Sequence, residues 1–207
     1  MVTIVDYGVG NLFSLKSSLE AIGEQTIVSG DPAQLRAAER LILPGVGAFG
    51  DAAEKLRKLG LDEVLREEAA AGKPILGICL GMQLLFDKSR EYGEHQGLGL
   101  IAGEVVPLAG AIPAELKIPH IGWNALHFQG GVHPLFAGIQ ENDCVYFVHS
   151  YYATNCDSAV IATAEYGREL TAAVAKENVM GCQFHPEKSG VVGMKILQAF
   201  CKMGGNA

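Results

Sequence analysis

Short apolar runs at residues 2–5, 26–28, 41–43 and 74–78 alternate with stretches of helical period through the first half of the chain. That alternation is the pattern of strand–helix–strand units, which lay their strands parallel with helices on the sheet faces. Leu12, Leu15, Leu19 and Ile22 fall on one helical face. Asp31-Pro32 supplies an N-cap followed by proline at the first helical position. From about Gly97 onward the rhythm changes to short apolar runs at 145–148, 160–163, 172–175 and 180–184, broken by Gly, Pro and Asn. Such spacing predicts antiparallel or mixed pairing. A final amphipathic stretch, 191–201, puts Val192, Ile196, Leu197 and Phe200 on one face and predicts a closing helix. No internal repeat or low-complexity segment interrupts the pattern. The expectation is an α/β fold: a central, mostly parallel sheet flanked by helices, with additional antiparallel strands in the C-terminal half.

Composition narrows the functional classes. A chain of 207 residues, 49% hydrophobic and 19% charged, can bury a sizeable core but is short for two full domains, so residues 1–207 are expected to form one. The net charge of −7 comes without a basic stripe, which argues against nucleic acid as a partner. The start, Met1-Val-Thr-Ile-Val-Asp6, has neither a basic leader nor a long apolar run, so the expectation is a cytoplasmic protein with no membrane span. Five cysteines, at 79, 144, 156, 182 and 201, are odd in number and lack C-x-x-C spacing. That disfavours both a disulfide framework and a zinc site, and no metal or other cofactor is expected. Gly8-Val-Gly10 does not complete a dinucleotide fingerprint, because Phe13 stands where the third glycine belongs.

The sharpest local signal is Gly77-Ile78-Cys79-Leu80-Gly81, which follows an apolar strand and precedes the expected helical run 82–86. This is the pattern of a nucleophile elbow, with cysteine in place of serine. A helix N-terminus behind the sulfur favours the thiolate. The competing reading is a small buried hydrophobe in a glycine-rich turn. A cysteine nucleophile needs a base and a group to orient it, and Phe184-His185-Pro186-Glu187 offers both at the end of the run 179–184. In extended chain, residues two apart project to the same side, so Glu187 can sit beside His185 and fix its tautomer. Acyl transfer also needs donors aimed at a developing oxyanion. Leu43-Pro44-Gly45-Val46-Gly47 ends an apolar strand with a glycine pair, so the N–H groups of Val46 or Gly47, with that of Leu80, are the candidates.

PGVG, GICLGMQ and FHPE, in that order and spread across nearly the whole chain, resemble the class I glutamine amidotransferases. The resemblance implies a flavodoxin-like amidotransferase domain with Cys79 as nucleophile, His185 as acid/base and Glu187 as its orienter. It also places Gln83 in a pocket for L-glutamine, together with backbone around Gly47 and His149-Ser150-Tyr151. Asp6-Tyr-Gly-Val-Gly10-Asn11, His120-Ile-Gly-Trp-Asn124 and Tyr146-Phe-Val-His-Ser-Tyr151 resemble, more narrowly, the glutaminase subunits of imidazole glycerol-phosphate synthase. Those subunits pass ammonia to a (βα)₈-barrel cyclase in histidine biosynthesis, as one half of a heterodimer. On that resemblance Asn11, Trp123, Tyr146 and Lys188 face the partner or the ammonia path. Partner docking is then expected to switch the enzyme on by reorienting the PGVG loop. The alternatives are a glutaminase serving pyridoxal phosphate, anthranilate or GMP formation, and a non-catalytic amidotransferase-like binding module.

Overall fold

A computed structural model describes residues 1–204. The main sheet has eight strands in the order Thr26–Ser29, Val2–Val5, Arg40–Leu43, Ile75–Ile78, Val179–Cys182, Glu169–Lys176, Val160–Glu165 and His127–Phe128. The first five are mutually parallel and the last three pair antiparallel. The continuous apolar runs of the N-terminal half are explained by burial on both faces. Ile4, Ile42 and Leu76 point into one core with Leu15, Leu19, Ile196 and Phe200, whereas Val5, Leu41 and Ile75 point into the other with Leu56, Val64 and Leu65. Helices Leu12–Ala21 and Gly190–Cys201 therefore cover one face, and Phe49–Lys58 and Leu61–Ala70 the other.

Among the described residues, two smaller sheets accompany it. Cys144–His149 pairs antiparallel with His120–Ala125, and a four-stranded sheet runs Tyr151–Thr154, Ile101–Pro107, Phe86–Ser89, His95–Gln96. Within the latter, Phe86–Ser89 and Ile101–Pro107 are parallel, so the C-terminal half is mixed rather than purely antiparallel. The cap at Asp31 forms as the sequence indicates, its carboxylate accepting from the Ala33 N–H at 2.9 Å with Pro32 opening the helix.

Two local expectations are corrected. The helix after the elbow spans only Leu80–Leu84, and Phe86 opens a strand, because its backbone pairs in register with Ile101. The strand before FHPE ends at Cys182, not 184; beyond it the chain leaves the ladder to form the site. Among the described residues, no helix is long and apolar enough to cross a membrane.

Candidate active site

Three neighbouring parallel strands deliver the chemistry from their C-terminal ends, where open α/β sheets hold their ligands. Arg40–Leu43 leads into Pro44-Gly45-Val46-Gly47, Ile75–Ile78 into Cys79, and Val179–Cys182 into Gln183-Phe184-His185. Ile75–Ile78 lies between the other two, so the cysteine is flanked by the glycine loop on one side and the histidine on the other.

Cys79 has φ 54° and ψ −111°, a conformation that L-residues adopt at a cost of about 1–3 kcal/mol unless the surroundings impose it. Here they do. The Cys79 N–H donates to the Cys182 carbonyl at 2.8 Å, and the Cys79 carbonyl accepts from the Gln83 N–H at 3.1 Å. The turn closes tightly because Gly77 and Gly81 lack side chains: a Cβ on Gly77 would come within 2.6 Å of the Gly81 carbonyl oxygen, and one on Gly81 would overlap the Leu43 carbonyl.

His185 Nδ1 lies 2.8 Å from Glu187 Oε1, with both side chains buried. The pairing forms differently from the extended-chain expectation. His185 itself is extended, but Pro186–Lys188 is a 3₁₀ turn, and that turn folds the carboxylate back onto the ring. Burial alone would push the imidazole toward its neutral form. The Cys79 sulfur and the Glu187 carboxylate, by hydrogen bonding and by charge, outweigh it and raise His185 to about 9. The ring is thus held as an imidazolium at neutral pH.

Two polar residues that the motifs did not single out complete the surroundings. Gln183, fully buried, directs Nε2 at the Cys79 sulfur at 3.7 Å and accepts from Gln83 Nε2 at 3.0 Å. Ser189 donates to the His185 carbonyl at 2.7 Å and accepts from the Tyr146 N–H at 3.0 Å. A glutamine in the apolar run 179–184 was the available signal for the first; nothing in the sequence marks the second.

A cleft of about 570 Å³ opens over the sulfur. Val46, Gly47, Cys79, Leu80, Gln83, His149, Ser150, Tyr151, His185 and Lys188 all line it, while Glu187 sits behind His185. Glu91, missed in the sequence, also lines it; its carboxylate is buried and accepts from the Phe49 N–H at 2.6 Å. Gln83 donates to the Tyr151 carbonyl at 3.2 Å, an oxygen shared with His149 Nδ1 at 2.8 Å. Burial, reinforced by the neighbouring His120 and His185 and only partly opposed by that carbonyl, lowers His149 to about 4. It stands neutral beside the cationic His185.

The expected docking residues lie outside the cleft, apart from Lys188. Asn11 caps Leu12–Ala21, accepting from the Ser14 N–H at 3.3 Å. Trp123, 55% exposed, faces Tyr146 across the two-stranded sheet with ring centroids 6.0 Å apart. The Tyr146 carbonyl accepts from the His185 N–H at 3.0 Å, so this pair of rings is one residue away from the imidazole. Among the described residues no cluster of His, Cys, Asp or Glu could hold a metal ion.

A thiol on a strained elbow, an imidazolium beside it, a buried carboxylate behind the ring and a glycine loop opposite make a constellation for acyl transfer through a thioester. The family model for class-I glutamine amidotransferases matches residues 3–203, and the chain belongs to that family. Solved structures share the fold: a glutamine amidotransferase crystal structure aligns over 99% of both chains with a TM-score of 0.76 at 19% identity. PurLQS from Thermotoga maritima aligns over 97% of this chain and 96% of its own, also at 0.76, with 23% identity. Curated relatives are more specific. The imidazole glycerol phosphate synthase subunit HisH of Sulfurimonas denitrificans is 53% identical over 98% of both chains. That of Lactococcus lactis is 51% identical over 96% of both. Within the amidotransferases, the chain is of the HisH type.

Proposed function

We propose that residues 1–207 act as one cytoplasmic glutaminase domain that hydrolyses L-glutamine at Cys79 and passes the ammonia to the barrel cyclase subunit of imidazole glycerol phosphate synthase. The observation that carries this reading is the convergence of Cys79 and His185, just past the ends of two adjacent parallel strands, over one cleft, with Glu187 held against the far side of the ring.

The Cys79 thiolate attacks the side-chain amide carbon of glutamine. Val46 or Gly47, with Leu80, supplies N–H donors to the oxyanion that forms. His185 gives its proton to the amide nitrogen, the C–N bond breaks and ammonia leaves, with a thioester remaining on the sulfur. Neutral His185 then takes a proton from water as the hydroxide adds, and the C–S bond breaks to release glutamate and restore the thiolate–imidazolium pair. Glu187 keeps Nδ1 protonated, so that Nε2 faces the reacting atoms in both steps. Gln83 and the backbone of residues 149–151 line the pocket, and the buried Glu91 carboxylate suits the α-ammonium of the substrate. Asn11, Trp123, Tyr146 and Lys188 form the docking side.

The test is glutamate release by wild type and Cys79→Ala, each with and without the cyclase and its nucleotide ligand. Release that needs both Cys79 and the cyclase supports the whole reading. Cys79-dependent release indifferent to the cyclase removes the gating by the partner, and no release under any condition removes the catalytic assignment.

A further inference from the structure

We infer that Tyr7 is a positioning residue for the oxyanion donors: its hydroxyl pins the root of the PGVG loop and ties that root to the Asn11 end of the molecule. This inference rests on the proposal that residues 46–47 supply those donors.

Tyr7 follows the first strand and is 2% exposed. Its hydroxyl donates to the Pro44 carbonyl at 2.8 Å. Burial first, with the nearby Cys79 charge second, pushes the phenol well above its ordinary range, so it stays protonated and keeps that donor at every working pH. A Cβ on Gly45 would stand 2.8 Å from that oxygen and, on the elbow side, 2.9 Å from Leu80 Cβ. The 44–45 peptide is therefore wedged between the phenol and the nucleophile turn. Immediately beyond, the constraint ends. Val46 and Gly47 are exposed, their N–H groups make no hydrogen bond among the described residues, and Gly47, at φ +95°, has open space around it.

A loop with free N–H groups can aim them only if its root is fixed, since a rotation of one peptide at the root turns every donor after it. The Tyr7 hydroxyl is the only side-chain hydrogen bond made to that root among the described residues. Beyond Tyr7 the chain runs in irregular backbone through Gly8-Val9-Gly10 to Asn11, the N-cap of Leu12–Ala21. Gly8, Val9, Gly10, Val46, Gly47 and Lys55 line one shallow cleft, and a Cβ on Gly10 would press on Pro44 at 3.3 Å. Displacement of the 8–11 segment, with Phe13 82% exposed just past it, would thus reach the oxyanion loop through Pro44.

The experiment is steady-state glutaminase kinetics of wild type and Tyr7→Phe in the complex with the cyclase and its nucleotide ligand. Alkylation of Cys79 by iodoacetamide is followed in parallel, because that displacement develops no oxyanion. Tyr7→Phe should lower kcat by about tenfold or more, short of the 10²–10³ lost with a whole donor. KM for glutamine and the alkylation rate should stay within about twofold, since an oxyanion contact acts in the transition state alone. Gly10→Ala, which displaces Pro44 from its other side, should reproduce the kcat-selective loss and serves if Tyr7→Phe does not fold. A kcat equal to wild type, or a loss shared equally by alkylation, overturns the assignment. Wild type that releases no glutamate in the same assay removes the functional proposal and this inference together, whereas active wild type matched by Tyr7→Phe removes this inference alone.

Discussion

The elbow around Cys79 and the loop at residues 44–47 flank the same cleft and are built in opposite ways. At the elbow the backbone is overdetermined: a buried strand enters it, Cys182 and Gln83 hold both sides of the strained peptide, and the Leu43 carbonyl fills the space where Gly81 would carry a Cβ. Past Gly45 the loop is exposed and its N–H groups are unengaged. The nucleophile is prebuilt and the proposed oxyanion site is conditional. Placing the adjustable part in the donors suits a glutaminase whose ammonia is wasted without an acceptor, because turnover can be withheld without disturbing the nucleophile.

The largest effect expected is at the prebuilt side. Cys79→Ala should reduce glutamine-dependent turnover by about 10⁵–10⁶-fold, as with other nucleophile deletions, while the partner's reaction with added ammonium salt continues. Loss of both would assign Cys79 a structural role. Glu187→Gln should cost about 10⁴ in kcat with the fold intact, because an amide at that place favours the wrong tautomer of His185. Thermal unfolding and kcat measured on the same sample separate the two readings, and near-normal kcat would take Glu187 out of the proposed triad.

How much of this was legible beforehand follows the same division. The parallel strands and the elbow could be read because they combine local rules: continuous apolar runs, glycines flanking a cysteine, a polar pair after a strand. What was misread depended on partners distant in sequence. Phe86 belongs to a strand because Ile101 pairs with it, and Glu187 reaches His185 through a turn stabilised by Ser189 and Tyr146, not along extended chain. Gln183, Glu91 and Tyr7 escaped for a related reason. Each looks locally like an ordinary residue of its segment, and only the fold shows what its polar atoms meet.

A pair of glycine substitutions sharpens the comparison directly. Gly81→Ala places a methyl on the Leu43 carbonyl, where backbone cannot yield, and should destabilise by about 4 kcal/mol or more, in the range of severe core lesions. Gly47→Ala meets no atom within 4 Å and bears only the strain of φ +95°, about 1–3 kcal/mol, so the protein should fold with its turnover reduced. Denaturant unfolding gives the first quantity and glutaminase assay the second. Equal destabilisation at the two positions would erase the distinction between a rigid elbow and a free loop.

The last effect concerns pH, and it comes chiefly from two histidines of the site that are shifted in opposite directions. His185 is raised from 6.5 to about 9, so its contribution to stability is complete below pH 6.5 and is lost as pH climbs through about 9. His149 is lowered from 6.5 to about 4 and is buried neutral; its contribution is complete above pH 6.5 and is lost as pH falls through about 4. The two slopes oppose each other, and together they put the stability optimum of the isolated subunit near pH 6.5. Unfolding free energy measured from pH 4 to pH 9 should therefore show a maximum with two limbs. Cys79→Ala should flatten the alkaline limb, because the sulfur is one of the two groups that hold His185 charged, and should leave the acid limb in place. An alkaline limb unchanged by that substitution would mean that the Cys79 sulfur does not hold His185 charged, and the prebuilt half of the comparison would fail with it.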